Sequence, residues 1–144
     1  MKSITQLFCL LLLVSLGCSK DESLSKHDQI VKNISATWGN AQVMHATDGD
    51  LSFQYEDFAI TFAKNSSSGA DGFFIVENGS HAFPDASGQW SLSSDLSKIE
   101  ISTGAAWDFT LTGNSLTLEF DIPDSGGRTN GLTGHVVFEL TKEK

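Results

Sequence analysis

Basic residues are scarce in this chain of 144 residues, because nine Lys and Arg stand against 18 Asp and Glu, and the net charge is −9. A nucleic-acid-binding protein needs the opposite balance, since its basic side chains neutralise the phosphates. We therefore expect no nucleic-acid partner. Proline is also scarce, with two residues against 13 glycines, and this composition favours many short strands joined by tight turns.

Cysteine occurs only at positions 9 and 18. Residues 19–144 therefore offer no thiol for a disulfide bond, and we expect the core alone to stabilise the folded domain. The histidines are His27, His45, His81 and His135. No two of them have a short metal-ligand spacing, so the sequence indicates no metal site and no cofactor.

The sequence also lacks common catalytic motifs. Neither the Gly-x-Ser-x-Gly element of hydrolases nor the His-Glu-x-x-His element of metalloproteases is present. Two acidic segments, residues 47–50 and 121–127, lack the spacing of an EF-hand loop and are typical of turns. We assign no catalytic residue and expect a protein that is not an enzyme.

Residues 1–17 predict a signal peptide. Lys2 supplies a positive charge, and Leu7 to Val14 form a continuous apolar run. A helix that spans a bilayer needs about 20 apolar residues, so this run is too short for that role. It fits the apolar region of a secretory signal peptide.

The pair Gly17-Cys18 resembles the end of a bacterial lipobox, in which the cysteine is acylated and becomes the first residue of the mature protein. The resemblance implies a lipid anchor at Cys18. The next residues resemble the short signal that sends lipoproteins of Bacteroidota to the cell surface: Ser19, Lys20, Asp21 and Glu22. The resemblance implies an outer-membrane protein at the cell surface. The alternatives are the periplasmic face, and a solvated linker without a sorting role.

Residues 18–33 connect the anchor to the domain in this interpretation. The segment is polar to about residue 28, and Ile30, Val31 and Ile34 then fall on one face of a short helix. A short helix and a plain linker are both compatible with this pattern.

Residues 34–144 predict an all-β domain, because apolar and polar residues alternate and no long helix separates the runs. We predict about eight strands, with the clearest hairpin between the runs 107–111 and 116–120. Such strands form an antiparallel up-and-down barrel or a sandwich.

One predicted strand contains a change of phase. Leu51, Phe53 and Tyr55 alternate with polar residues, and after residues 56–57 the apolar phase restarts at Phe58. This pattern predicts a bulge or a bend in one long strand.

Three segments of the domain resemble lipocalin-like lipoproteins of Bacteroidota. They are Ile34-Ser-Ala-Thr-Trp38, Gly88-Gln-Trp-Ser-Leu92 with Ile99-Glu-Ile101, and residues 131–142. The resemblance implies a lipocalin-like antiparallel up-and-down β-barrel of about eight strands, with Trp38 closing its floor. In such barrels an arginine packs over the tryptophan at the barrel end, so Arg128 either takes that place or is exposed.

Aromatic residues are numerous for a barrel of this size. Five of them lie on apolar phases of the predicted strands and would line the interior: Trp38, Phe53, Trp90, Trp107 and Phe109. They either fill the core or surround a cavity for a hydrophobic ligand or a sugar.

The sequence thus predicts a lipid-anchored, non-enzymatic barrel that binds a small hydrophobic ligand or a protein partner at the cell envelope. One alternative is a structural accessory of an outer-membrane complex, with a filled barrel. Another is a hydrolase or isomerase that uses a carboxylate in the cavity.

The proposed anchor predicts that Cys18→Ser abolishes acylation and leaves an unprocessed precursor, because the thiol is the acylated group. Metabolic labelling with a lipid probe measures this outcome. Cys9→Ser is the matched control and should keep its label. Undiminished label in the Cys18→Ser protein would contradict the assignment.

Overall fold

A computed structural model describes residues 23–65, 69–79, 82–124 and 132–144. The predicted signal peptide, Cys18 and the signal at residues 19–22 lie outside these ranges, as do His81 and Arg128. The helical elements are α1 (Lys26–Ile34) and a 3-10 helix (Ser52–Tyr55). The strands are β1 (Thr37–His45), β2 (Gly49–Asp50), β3 (Ala59–Lys64), β4 (Gly72–Glu77), β5 (Ser87–Leu92), β6 (Lys98–Ile101), β7 (Ala106–Thr112), β8 (Ser115–Ile122) and β9 (Gly134–Lys142).

Eight of these strands form a closed antiparallel barrel. Neighbours pair in the order β1-β3-β4-β5-β6-β7-β8-β9, and β9 pairs in turn with β1. The short strand β2 adds to the end of β1. The prediction of an all-β, lipocalin-like up-and-down barrel of about eight strands is therefore confirmed.

The barrel has two distinct ends, because the connections between antiparallel strands alternate between them. The end that carries the β3–β4, β5–β6 and β7–β8 connections is also the end where β1 begins, directly after α1. We call it the helix end. The opposite end, which we call the mouth, carries the β1–β2, β4–β5, β6–β7 and β8–β9 connections.

Helix α1 covers the helix end, which confirms the helical alternative for this segment. The Ser25 side chain accepts a hydrogen bond from the Asp28 N–H at 3.0 Å and so caps the first turn. Val31 and Ile34 are buried against the barrel. The indole N–H of Trp38 donates to the Ile34 carbonyl at 2.8 Å, which satisfies a carbonyl at the helix terminus.

Trp38 is fully buried at this end of the barrel. The Lys142 ammonium lies 5.8 Å from the centre of its ring, within range of a cation–π interaction. Among the residues that the structure describes, this lysine holds the position that the sequence suggested for Arg128.

The alternation of inward and outward residues does change phase in one barrel strand, but this strand is β1 and not the segment around residues 56–57. Gly39 pairs with Thr141 and Gln42 with Glu139, so β1 carries one extra residue between these pairs. Asn40 adopts a φ of 49° within this bulge, a conformation that asparagine tolerates better than most residues. The inward phase therefore passes from Trp38 to Ala41 and Val43.

The predicted strand at residues 51–55 is wrong, because a 3-10 helix replaces it. Asp50 accepts hydrogen bonds from the N–H and hydroxyl of Ser52 at 2.9 and 2.6 Å, which starts the turn. Leu51 and Tyr55, at the two ends of this turn, are buried, whereas Phe53 between them is 69% exposed.

The burial of Trp90 predicts a large loss of stability in Trp90→Ala. Its ring contacts Phe62 edge-on at a centroid distance of 5.4 Å, and its indole N–H donates to the Phe73 carbonyl at 3.2 Å. We expect a cost of about 3–5 kcal/mol in the free energy of unfolding, measured with urea. Phe53→Ala is the matched exposed control and should change this free energy by less than about 0.5 kcal/mol. Equal costs for the two variants would contradict the packing.

Candidate functional site

Aromatic rings form a continuous series of contacts through the barrel interior, from the helix end to the mouth. Successive centroids lie between 5.1 and 6.5 Å apart. The series runs through Trp90, Phe62, Phe74, Trp107, Phe83, Phe138 and Phe58. Each of these side chains is buried. The arrangement favours the filled core over an open internal cavity.

Two side chains in this core come from connections at the mouth. Phe83, in the β4–β5 connection, lies within 5.3 Å of the ring centres of Phe58, Trp107, Phe120 and Phe138. Tyr55, at the end of the 3-10 helix, contacts Phe138 edge-on at 5.0 Å. Phe83 could not be identified from the sequence pattern, because one aromatic residue in a connection has no periodicity; its only signal is its place between Ala82 and Pro84.

The five residues predicted to line a cavity lie in different environments. Trp38, Trp90 and Trp107 are buried in the core. Phe109 is half-buried and packs against that core on the same phase of β7 as Trp107. Phe53 faces solvent on the 3-10 helix, so its prediction as an interior residue is wrong.

The Tyr55 hydroxyl is a polar atom inside the core. It is buried and has no hydrogen-bond partner among the described residues. Burial raises the pKa of this phenol above its ordinary value, because the phenolate is poorly solvated there. An unpaired buried hydroxyl lowers stability, and the aromatic packing around Tyr55 offsets this cost.

A surface hollow of about 440 Å³ opens at the mouth. Its floor consists of Trp107, Phe120 and Ile122, which are almost completely buried by the surrounding chain. The walls of what we call the mouth hollow come from the β4–β5 connection, the region where β7 begins and the end of β8: Ala82, Pro84 and Asp85, then Thr103, Ala105 and Ala106, and finally Asp121 and Pro123. Of the five predicted residues, Trp107 is the one that lines it.

The rim of the mouth hollow is acidic. The Thr103 hydroxyl donates to Asp85 Oδ2 at 2.7 Å and ties two of the connections together. Asp121 Oδ1 lies 3.3 Å from Nδ1 of His135. The hollow therefore combines an apolar floor with the Asp85 carboxylate at its edge, and the Asp121 carboxylate points outward beside it. This arrangement favours an apolar group with a neutral or positively charged end.

His45 is the buried histidine among the described residues. Its Nε2 lies 2.7 Å from the Thr133 carbonyl and therefore donates to it, and its Nδ1 accepts the Asp48 N–H at 3.1 Å. The carboxylate of Asp48 lies 2.9 Å from Nδ1 and is mostly exposed at the β1–β2 turn. His135 occupies the neighbouring strand on the opposite, outer face. The two histidines are thus near in the sheet but do not share a site.

Comparison with known protein families, curated proteins and solved structures finds no match to this chain. Within the described ranges, no helix has the length and apolar character required to cross a bilayer.

The buried hydroxyl predicts that the difference in free energy of unfolding between the natural protein and Tyr55→Phe depends on pH. The folded-state pKa of Tyr55 is raised. The contribution of this phenol to the free energy of unfolding is therefore fully present below about pH 10 and is lost as the pH rises through the folded-state pKa. Tyr55 is the sole tyrosine in the sequence, so the variant removes every phenol. We expect Tyr55→Phe to be at least as stable at pH 7 and to lose less stability above pH 10.

Unfolding by urea at a series of pH values measures the stability of both proteins at pH 7 and the stability that each loses above pH 10. A Tyr55→Phe protein that is destabilised at pH 7 by more than about 1 kcal/mol would indicate that the hydroxyl has a hydrogen-bond partner in solution. Parallel losses above pH 10 in the two proteins would contradict the assigned burial.

Proposed function

We propose that this protein is a lipid-anchored, non-enzymatic binding protein of the outer membrane, which holds an apolar group of a small ligand in the mouth hollow. The observation that carries the proposal is the apolar floor of the mouth hollow, above a core that aromatic rings already occupy. Binding then takes place at the end of the barrel.

The floor suits this role because it is rigid and apolar. Trp107 contacts Phe83 edge-on at 5.3 Å and Phe120 at 5.7 Å, so neighbouring rings fix its position. Ligand sites are typically concave and mostly apolar, with a few polar groups at their edges. Pro84 and Pro123 restrict the backbone on two sides of the hollow.

The rim indicates the charge of the ligand. Asp85 places a carboxylate at the rim, Asp121 points outward from the same edge, and the chain as a whole is strongly acidic. A ligand with an apolar body and an ammonium end gains electrostatic attraction, whereas a fatty acid anion is repelled. We therefore infer a neutral or cationic amphiphile rather than a fatty acid.

The location of the anchor is compatible with this site. Helix α1 begins beside the β3–β4 connection, where Nε2 of His27 lies 3.1 Å from Asp71 Oδ2. A lipid on Cys18 would therefore attach the barrel to the membrane through its helix end. The mouth hollow, at the other end, would then face away from the bilayer and be open to ligands.

A second candidate function has its own support. The continuous aromatic core favours a barrel that binds no small molecule and serves as a structural accessory of an envelope complex. The two functions differ in one measurable property, which is saturable binding of small apolar molecules at Trp107.

Three eight-carbon probes that differ only in charge test the proposal: octylamine, 1-octanol and octanoate. We expect octylamine and octanol to change the tryptophan fluorescence saturably, with octanoate weakest, because the rim is acidic. At a concentration of 100 times the dissociation constant, binding should add about 2.7 kcal/mol to stability. Asp85→Asn should reduce the preference for octylamine over octanol.

Variants of single tryptophans locate the site. Trp107→Phe should remove the fluorescence response, whereas Trp38→Phe, at the helix end, is the matched control and should retain it. A response that is lost with Trp38→Phe and kept with Trp107→Phe would place binding elsewhere. Flat curves with all three probes would support the structural accessory.

A further inference from the structure

The outer wall of the barrel divides into an acidic part and a part whose described strand residues are uncharged except for Glu77, which points outward at the mouth end of β4. On the acidic part, formed by strands β6 to β9, the outward carboxylates are Glu100, Asp108, Glu119, Asp121 and Glu139. Asp108 and Glu119 are direct cross-strand neighbours, and Lys98 pairs with Asp108 at 2.7 Å. Like charges on this wall repel an approaching acidic surface.

The uncharged part consists of two rows of side chains across β3, β4 and β5. One row pairs Thr61 with Ile75 and Ile75 with Ser87; the other pairs Ala63 with Phe73 and Phe73 with Gln89. We call these six residues the neutral face. Phe73 and Ile75 are 44% and 55% exposed, although both are large and apolar.

The neutral face carries a ridge beside a groove. Phe73 and Ile75 of β4 form the ridge. The groove, of about 460 Å³, lies over the backbone of Gly88, is flanked along β5 by Ser87 and Gln89, and is also lined by Ser102. A Cβ atom at Gly88 would lie 2.9 Å from the Phe74 ring, so this position has no room for a side chain.

We propose that the neutral face is the contact surface between two copies of this chain, with the ridge of each copy in the groove of the other. An isologous contact needs a surface that is complementary to itself, and an adjacent ridge and groove meet this condition. The charge distribution selects the same face, because copies with a net charge of −9 that meet through their acidic walls repel each other.

The geometry also specifies the symmetry axis. Phe73 pairs with Gln89 and Ile75 with Ser87, so the ridge and the groove lie side by side at the same heights along the barrel. A two-fold axis parallel to the barrel axis brings each ridge opposite the partner's groove. Both helix ends then point the same way, and two lipid anchors could enter one membrane.

Sedimentation of residues 19–144, which retain every described helix and strand, tests the contact. We expect a dimer whose fraction grows with protein concentration. It should also grow from about 0.15 M to about 1 M NaCl, because the Debye length falls from about 8 Å to about 3 Å and repulsion weakens. A monomer at all concentrations up to about 1 mM would overturn the proposal.

Charges placed at the two halves of the contact give independent variants. Ile75→Lys on the ridge and Gln89→Glu beside the groove should each weaken dimerisation about tenfold or more, because each leaves an unpaired charge in an apolar contact. Phe53→Ser, which removes an exposed aromatic ring outside the neutral face, should leave the dimer unchanged. A dimer that persists in both charged variants but is lost in Phe53→Ser would place the contact elsewhere and overturn the proposal.

Discussion

Closure of the sheet creates a volume that side chains must occupy, and the rest of this structure follows from that requirement. Eight strands enclose an interior of about the width that side chains can fill. The domain has no cysteine beyond position 18, so no disulfide can compensate for a poorly packed core. Large rings fill the space, and segments outside the barrel strands contribute Tyr55 and Phe83.

The sequence predicts the parts of this fold that depend on periodicity. Alternation in β7, β8 and β9 identified the strands and their inward residues, because one face of each strand is buried. It failed at residues 51–55, where three apolar residues two positions apart fit a strand and only partly fit a helical turn. The hydrogen bonds of Asp50 to Ser52 and the burial of Tyr55 decide in favour of the 3-10 helix.

The candidate site was less accessible to prediction than the fold. Trp107 was identified from its strand phase, but the other parts of the mouth hollow come from the end of β8 and from connections far apart in the sequence. Only closure of the barrel brings Asp85, Thr103 and Asp121 to one rim. The neutral face was missed for another reason: residues 72–77 form an almost continuous apolar run, in which Phe73 and Ile75 differ from Phe74 only in the direction they point.

The pairing of β1 with β9 links the beginning of the barrel to its end, since Trp38 lies opposite Lys142. Contacts between residues so distant in sequence form slowly, because a long loop must close before any of the bonds is gained. A chain that is synthesised from its N-terminus therefore presents β1 early, while the strand that covers its edge arrives last. During that interval the edge of β1 can pair with other chains, so a low local concentration, or a chaperone that shields β1, favours correct folding.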